Sequence, residues 1–515
     1  METIFPRLQH WINTQPKTLF ISIATLGGLG ILLSAASANG LAFALLLGGI
    51  AFWLALFRPH WLVFLLAAYI PFEPFVLKYV SDDLYVYIRY ASELLIYLLV
   101  FAALVYRLRS RTHFSLGPNS WWLVFFFGSI IISIFMNSVP VATAILGTRQ
   151  IIRFMLLGLA VVNLPLSKRF AKTILWMIIG IAALQSLIGL GQSLIGAPAD
   201  NILIPSEERL FGSILLTPGT DQYWEGGQRI TATMGRYDQL GTFLSFVLLL
   251  VVGLLYEHPK LQTKRKLLAI LMLGIAALAL TYSRASWFGF ALGFGVISVF
   301  LKRDKRVMIA GFLLIAFVAL YPFFTSLVVD DLIDQPNMPI VDRLYEAFSY
   351  ERWRSEYYGQ GRVFFIIETA TKVFPAAPVF GFGPGQYGGG AAAALANTTV
   401  YDQLGIPFGI YGYTGQIDNN WLALLGETGA VGVLLYMALF LSIIRYSWRV
   451  YRQSEDKMIA GFALGLIGAI LAAAFEGALG THFEVRTLGV YLWLFPALLF
   501  VLHEKTSDYE NRPSQ

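Results

Sequence analysis

The sequence predicts an all-α fold: a polytopic bundle of 12 to 14 transmembrane helices with one large helical loop outside the membrane. The 515 residues are 57% hydrophobic and 13% charged, whereas soluble chains carry about 25% charged residues. Fourteen apolar segments approach the roughly 20 residues that a spanning helix needs. Lys and Arg cluster in alternate connections between these segments. Together these features exclude a water-soluble globule and a disordered chain.

The apolar segments follow one another in this order: 18–36, 40–57, 59–72, 86–106, 121–137, 142–164, 173–195, 237–256, 267–282, 285–301, 307–327, 419–444, 458–479 and 485–502. The first is too long for a signal peptide, although Ala36-Ser37-Ala38 looks like a cleavage site, so we predict an uncleaved anchor. The third is short and ends at Pro71 and Pro74. A re-entrant or tilted piece there accounts for the range in the helix count.

The basic clusters predict the orientation of the bundle in the membrane. If all fourteen segments cross, every cluster lies on the cytoplasmic side, as do both termini: 107–111, 168–172, 260–266, 302–306 and 445–457. The loops 73–85, 196–236 and 328–418 then lie outside. We expect a cytoplasmic (inner) membrane protein surrounded by lipids, and we take its net charge of +6 as an orientation signal and not as a nucleic-acid surface.

This topology divides the chain into four parts. Residues 1–327 hold transmembrane helices 1–11 and the outer loop 196–236, and 328–418 form the large extracytoplasmic (periplasmic) loop. Residues 419–502 hold the C-terminal transmembrane helices, and 503–515 form a cytoplasmic tail. Neither of the two loop helices that we predict is apolar enough to span, so we expect a lid on the membrane surface: Pro339 to about Tyr358, and Arg362 to Val373, stopped by Pro375.

The residue composition excludes several kinds of catalytic and metal-binding site. The chain has no cysteine, which excludes disulfides, Cys-ligated metals and thiol nucleophiles. Its six histidines show no metal-binding spacing, and we expect neither a metal nor a cofactor. The Gly-rich stretch 381–390 lacks the Lys-Ser/Thr ending of a phosphate loop, so we predict a sharp, close-packed turn.

Four arginines fall at outer membrane ends, where a charge suggests function. Arg229 and Arg236 precede a span, Arg284 follows Tyr282 in a tight turn between two spans, and Arg362 follows Gly361. Guanidinium groups bind phosphate oxygens two at a time and keep their charge in a low-dielectric setting. A lipid diphosphate at the outer leaflet is therefore the predicted ligand. The alternative is that these arginines anchor the protein at the membrane interface or pair with acidic residues of the outer loops.

A second group lies where the large loop enters a span. Asp418 is placed to accept a proton from a sugar hydroxyl, or to cap the helix together with Asn419. Glu427 lies deeper in the same span and needs a partner or a proton.

Other charges in or beside spans stay ambiguous. Arg149 and Arg153 either face a headgroup cavity or pair with Glu476, and His482, Glu484 and Arg486 share a short outer turn.

These motifs resemble the O-antigen ligase/polymerase superfamily of integral membrane glycosyltransferases. Four pieces match in order within residues 229–435: Arg229-Ile-Thr with Gly235, the stretch Thr281 to Gly289, Gly361-Arg362 followed by Pro378 to Gly385, and Asp418-Asn419 with Glu427 and Gly429. The resemblance implies a helical bundle of the GT-C kind. It also implies a donor glycan on undecaprenyl diphosphate, passed to the lipid A core by ligases or to a lipid-linked repeat unit by polymerases.

The resemblance implies that Arg229 and Arg284 bind the diphosphate. We predict Asp418 as the third catalytic residue, unless the base lies elsewhere, and we predict as substrate-binding residues Arg236, Arg362, Asn419, Glu427 and Tyr282. Family ligases commonly have His-Asn where this chain has Asp418-Asn419, which favours a polymerase. We expect an inverting, metal-independent transferase, with a chain-length regulator or flippase as a partner. The competing hypotheses are a transporter of a small anion such as bicarbonate and a non-enzymatic subunit of an envelope-assembly complex.

Overall fold

A computed structural model describes residues 40–211, 214–217, 220, 224–325 and 339–504 of the chain. The predicted first segment, 18–36, lies outside these residues, and each of the other thirteen coincides with a helix. Within this part of the chain, nine helical stretches are long and apolar enough to cross a membrane. The predicted fold class, a polytopic helical membrane protein, is confirmed.

The first part of the bundle is built from seven helices: α1 (Gly40–Phe57), α2 (Pro59–Tyr69), α3 (Glu73–Lys78), α4 (Asp82–Ser110), α5 (Ser120–Met136), α6 (Val141–Asn163) and α7 (Lys168–Ile195). The expectation that Pro71 and Pro74 end the third segment is wrong. A 3₁₀ turn, Ile70–Phe72, joins α2 to α3, and Pro74 occupies the first turn of α3, where a missing N–H costs nothing. The stretch Pro59–Lys78 is thereby long enough to span.

The connection after α7 contains the only β-strands among the described residues. A short helix, α8 (Ala197–Leu203), is followed by an antiparallel pair, β1 (Arg209–Phe211) and β2 (Ile214–Thr217). A 3₁₀ turn, Ala232–Met234, then leads into the bundle again.

The middle of the chain returns to membrane helices: α9 (Tyr237–Glu257), α10 (Leu261–Leu280), α11 (Arg284–Gly295) and α12 (Lys305–Thr325). A π-helical turn, Val296–Leu301, extends α11 into a span. The large loop holds only short helices: α13 (Ile340–Glu346), α14 (Tyr350–Tyr358), α15 (Arg362–Glu368), α16 (Phe374–Ala376), α17 (Gly390–Ala394) and α18 (Thr399–Leu404), with a 3₁₀ turn at Ile410–Gly412.

The loop differs from its prediction in detail. The helix expected from Pro339 to Tyr358 is two helices, because Ser349 interrupts it and caps α14 by accepting a hydrogen bond from the Arg352 amide at 3.2 Å. The second helix starts at Arg362 as predicted and continues as a π turn to Val373. Pro375 does not stop the chain's helical course, since it lies in the first turn of α16.

The last three helices complete the core: α19 (Asn420–Gln453), α20 (Lys457–Glu476) and α21 (Arg486–Glu504). The helices α9, α20 and α21 are the most deeply buried of the spanning helices, and α9 packs directly against α20. Their backbones touch, because a Cβ on Gly253 would lie 2.3 Å from the Gly461 carbonyl oxygen. Small residues at such crossings are what allows close helix packing in membranes.

Candidate functional site

A cavity of about 240 Å³ lies where several helices begin or end. The starts of α9, α11, α15 and α19 reach it, together with the turn between α20 and α21. Five arginines line it: Arg229, Arg236, Arg284, Arg343 and Arg362. The acidic lining residues are Asp238 and Asp418, so the walls carry an excess of positive charge. We call this space the arginine cavity.

Arg229 joins the segment before α9 to the turn between α10 and α11. It is 9% exposed, and its Nε donates to the Thr281 carbonyl at 3.3 Å. Its guanidinium lies 3.1 Å from the centre of the Tyr237 ring and 5.3 Å from that of Trp224. Burial lowers the pKa of Arg229, but a guanidinium keeps its proton in any protein setting. The result is a positive charge held rigidly against aromatic faces.

Arg284 is held by a carboxylate from the large loop. Its Nη1 lies 3.4 Å from Oε2 of Glu346, which is fully buried. The same carboxylate forms ion pairs with Arg343 and, at 3.5 Å, with Arg352. One negative charge therefore orients three guanidinium groups and cannot neutralise all of them, which leaves net positive charge beside the cavity.

Tyr282 occupies the same turn in a left-handed backbone conformation, with φ of 52°. Its ring lies 5.1 Å from Trp224 and 6.2 Å from Trp287, and burial raises the pKa of its phenol. A non-glycine residue at positive φ is strained, and such strain is concentrated at functional sites. The turn is therefore fixed by its neighbours and not by local preference.

Arg362 and Asp418 form the part of the cavity open to solvent. Arg362 Nη2 lies 3.1 Å from Asp418 Oδ2, and their side chains are 43% and 37% exposed. Burial lowers the pKa of Arg362 and the charges of Asp418, Tyr237 and Glu356 raise it, with a net shift upward. Asp418 also has positive φ, 48°. The accessible carboxylate oxygens of Asp418 are placed to accept a proton from a group in the cavity.

Arg236 completes the cation set by pairing with Asp238. The pair is bidentate, with Nε–Oδ1 at 3.0 Å and Nη2–Oδ2 at 3.1 Å. The Asp238 charge raises the pKa of Arg236. The Arg236 side chain is 56% exposed, so its outer edge remains accessible.

The structure does not bring Asn419 and Glu427 to the cavity wall. Asn419 caps α19 by accepting from the Leu422 amide at 3.0 Å, and it donates to the Ala478 carbonyl at 2.8 Å. Glu427 is buried and accepts from the Gly385 amide at 2.8 Å. Their proposed roles toward substrate stay predictions, and their visible contacts are structural.

The loop stretch 381–390 packs closely against the α19 backbone at Glu427, which explains why it is rich in glycine. Phe382 and Gly383 donate backbone hydrogen bonds to the carbonyls of Gly426 and Glu427 at 2.8 and 2.9 Å. Gly381 has φ of 66°, and a Cβ there would lie 2.5 Å from the Glu427 carbonyl carbon. Only glycine permits this approach, so the predicted close-packed turn is observed.

Three residues of the site were not singled out from the sequence. Glu346 and Arg343 are three residues apart on α13, and that spacing of opposite charges was the available signal. Asp238 stands two residues after Arg236, and its pairing is likewise local.

His482 had only an ambiguous role in the sequence. The structure buries it, 5% exposed, in the wall that also holds Asp238, Arg362 and Asp418. Burial lowers the pKa of the imidazole, so its neutral form is favoured.

The expectation that Arg149 and Arg153 pair with Glu476 is wrong. Both arginines contact Glu93, and Arg153 also donates to the Glu484 carbonyl at 2.6 Å. Glu476 instead lies against Gly289 of α11. The alternative, a cavity-facing position, agrees with the structure, because both arginines line a second cavity described below.

Residues 267–437 match the family model described as O-Antigen ligase. A search of curated proteins finds no match. The matched region includes Arg284, Arg343, Glu346, Arg362 and Asp418, whereas Arg229, Arg236 and His482 lie outside it. The predicted resemblance to the O-antigen ligase/polymerase superfamily is confirmed, because residues 267–437 of this multi-pass membrane protein match the O-antigen ligase model.

Proposed function

We propose that this chain is a membrane glycosyltransferase that moves a glycan from undecaprenyl diphosphate to a hydroxyl acceptor at the outer face of the cytoplasmic membrane. The observation that carries the proposal is the arginine cavity. Sequence reasoning selected Arg229, Arg236, Tyr282, Arg284, Arg362 and Asp418 from four separate segments, and all six line it. Five guanidinium groups around one space match the oxygens of a diphosphate.

The reaction follows from these groups. The acceptor hydroxyl oxygen attacks the anomeric carbon of the donor sugar, and the bond from that carbon to the diphosphate oxygen breaks. The electron pair leaves with the diphosphate, whose charge Arg229 and Arg284 stabilise. The hydroxyl proton passes to the Asp418 carboxylate, a step that requires no metal ion. Attack opposite the leaving group inverts the anomeric centre.

The surroundings of the cavity support this assignment over a small-anion transporter. Every cavity residue lies at a helix start, in a turn or in a loop. A transporter site is expected near the middle of the bilayer, between broken helices. The cavity is also covered in part by the large loop, through Arg343 and Arg362, and an enzyme that shields a reacting bond needs such a cover.

Within this class the chain fits a polymerase better than a ligase, because Asp418 stands where family ligases commonly have histidine. A polymerase joins repeat units, so the acceptor would be a second lipid-linked glycan. A chain-length regulator or a flippase would then be the natural partner.

The deciding experiment is complementation of a deletion strain with the full chain and with Arg284→Ala, followed by analysis of the surface glycan. Loss of chain length indicates a polymerase, and loss of attachment indicates a ligase. We expect Arg284→Ala to insert into the membrane at normal level and to give no glycan assembly. Normal glycan in that variant would refute the diphosphate assignment. Normal glycan in the deletion strain with altered anion uptake would indicate a transporter.

A further inference from the structure

A second cavity adjoins the arginine cavity. It is larger, about 540 Å³, within the range of roughly 300–1,000 Å³ that is typical of ligand sites. The two cavities share Arg236, Gln239, Gln416 and Val485 in their walls. A molecule in the second cavity would therefore reach the site where the donor's bond breaks without crossing the protein core.

The wall of the second cavity is strongly basic. Apart from the shared Arg236, its cations come from α3, α4, α6, β1 and α21: Lys78, Arg89, Arg149, Arg153, Arg209 and Arg486. Glu73 and Glu207 are the acidic residues among its lining. Lys78 and Arg486 stand at helix ends, and Arg89, Arg149 and Arg153 lie within helices that are long and apolar enough to span. Burying charge there is costly without a ligand or partner.

The carboxylates that touch these cations orient them and do not neutralise them all. Glu93 is shared, with its Oε2 at 2.6 Å from Arg149 Nη2 and 3.4 Å from Arg153 Nη1. Arg153 is 7% exposed, and its buried Nε has no hydrogen-bond partner among the described residues. Arg486 Nη1 lies 3.1 Å from Glu73. Arg209 contacts Asp82 through Nη1 at 2.6 Å, and its Nη2 lies 3.4 Å from Glu207 and donates to the Lys78 carbonyl at 2.7 Å. The cations of the wall still outnumber these carboxylates, so net positive charge remains for an anion.

The same wall carries groups suited to sugars. Gln150, Gln239 and Gln416 present amides, and Tyr85 and Tyr90 present aromatic rings. Amides exchange hydrogen bonds with hydroxyls in both directions. The combination of cations, amides and rings describes a ligand that is both glycosidic and acidic.

We propose that the second cavity is the acceptor site and that it recognises an acceptor glycan through a negatively charged group, a phosphate or a carboxylate. This rests on the proposed transferase function. The acceptor's anion would lie against Arg149, Arg153 and Arg209, and its reacting hydroxyl would enter the arginine cavity past Arg236 and Gln416, beside Asp418.

The test uses the full-length protein in lipid nanodiscs with lipid-linked repeat units from the producing cell as donor and acceptor. Arg149→Gln and Arg209→Gln are compared with Arg354→Gln, an exposed loop arginine paired with Glu351 that lines neither cavity. Losing one charge-assisted hydrogen bond should raise the acceptor KM about tenfold or more. The donor KM should stay within about twofold, as should both constants in the control.

Two further measurements make the result decisive. Arg149→Lys and Arg209→Lys should recover part of the acceptor affinity, because the charge returns without the fork geometry. For the wild type, acceptors stripped of lipid diphosphate or reduced at their carboxyls are compared with the intact form. The treatment that raises the wild-type KM to that of the Gln variants identifies the anion as phosphate or as carboxylate.

Failure of the inference is distinguishable from failure of the proposed function. If Arg284→Gln is inactive while Arg149→Gln and Arg209→Gln keep the wild-type acceptor KM, the second cavity is not the acceptor site and the transferase assignment stands. The same conclusion follows if these variants lower only thermal stability. If Arg284→Gln is fully active, the diphosphate role of Arg284 is wrong, and if the wild type itself transfers no glycan, the transferase assignment is wrong.

Discussion

The two adjoining cavities are both rich in arginine, but they are assembled from different parts of the chain. The arginine cavity takes Arg284, Arg343, Arg362 and Asp418 from the region that matches the O-antigen ligase model, residues 267–437, and Arg229, Arg236 and His482 from outside it. The second cavity is lined mainly by helices and the β-strand pair that precede this region.

The carboxylates that pair with these arginines can also be compared. In the arginine cavity, Arg362 and Asp418 pair with side chains 43% and 37% exposed, whereas Arg284 and Arg343 share the buried carboxylate of Glu346. In the second cavity, arginines share a buried carboxylate, Glu93, whose side chain is 5% exposed. An accessible carboxylate such as Asp418 suits a reaction, and shared buried carboxylates suit the fixed recognition of an anion. Under the proposed function, the arginine cavity serves the donor and the second cavity serves the acceptor.

The substitution Asp418→Asn should have the largest effect, and it tests the difference between the two cavities most directly. The substitution keeps size and polarity but removes the proton acceptor, so kcat should fall by about 10² to 10⁴ while the acceptor KM stays unchanged. Steady-state kinetics in nanodiscs measures both constants. Asp418→Glu is the matched control and should retain measurable turnover. Full activity of the Asn variant would leave Asp418 with a structural role at the start of α19.

A change in Glu346 should have the next largest effect, although this residue lines neither cavity. Glu346→Gln removes the charge that holds Arg284, Arg343 and Arg352 together. Misplacing a group that binds the transition state by about 1 Å costs roughly 100-fold, so kcat should fall by that order.

The matched control for Glu346 is Glu351→Gln on α14, whose carboxylate is 44% exposed and pairs with Arg354. It should behave as wild type. A positioning role further predicts that Glu346→Asp recovers part of kcat, whereas a purely structural role would show as equal loss of folded protein in both Glu346 variants. Yield and thermal unfolding separate the two cases.

The pH dependence of the reaction tests His482. Burial lowers its pKa from the ordinary 6.5, with Asp238 and Asp418 opposing this shift and Arg236 and Arg362 reinforcing it. The imidazole is therefore neutral at pH 7 and gains a proton only as the pH falls through the lowered pKa. If neutral His482 assists the proton transfer, the wild-type kcat should decline only as the pH falls through this lowered pKa, at a pH below the ordinary 6.5. His482→Gln should be about tenfold slower and should lack this decline. An unchanged acid limb in the variant contradicts the role.

The smallest effect is expected for Asn419→Ala. The side chain caps α19 and bonds to the Ala478 carbonyl, so the free energy of unfolding should fall by about 1 kcal/mol. The donor and acceptor KM of the folded protein should not change. Thermal unfolding and kinetics on one preparation measure both, with Asn419→Ser as the cap-preserving control. A raised donor KM without loss of stability would restore the predicted substrate role of Asn419.

The sequence predicted correctly the features that depend on interactions within one segment. Hydropathy located thirteen of the described helices, because a segment in lipid must satisfy its backbone hydrogen bonds internally. Hydropathy and proline positions predicted helix ends less well, because the helical backbone continues through Pro71 and Pro375.

For the site, residue chemistry selected five charged residues that line the arginine cavity, because isolated charges at membrane ends are rare and costly. The same reasoning placed Glu427 among substrate-binding groups, yet its described contacts are backbone amides of the loop. A buried carboxylate needs some partner, but only the fold decides which one.

The sequence by itself determined the membrane fold, the candidate cations and the carboxylate at the start of α19, since each follows from composition and position along one segment. Only the tertiary structure decided that Glu346 pairs with Arg284, that His482 shares a cavity wall with Asp418, and that Glu93 and not Glu476 pairs with Arg149 and Arg153. These contacts join residues far apart in the chain, and their partners are chosen by helix packing, for which the order of residues in any one segment carries no signal.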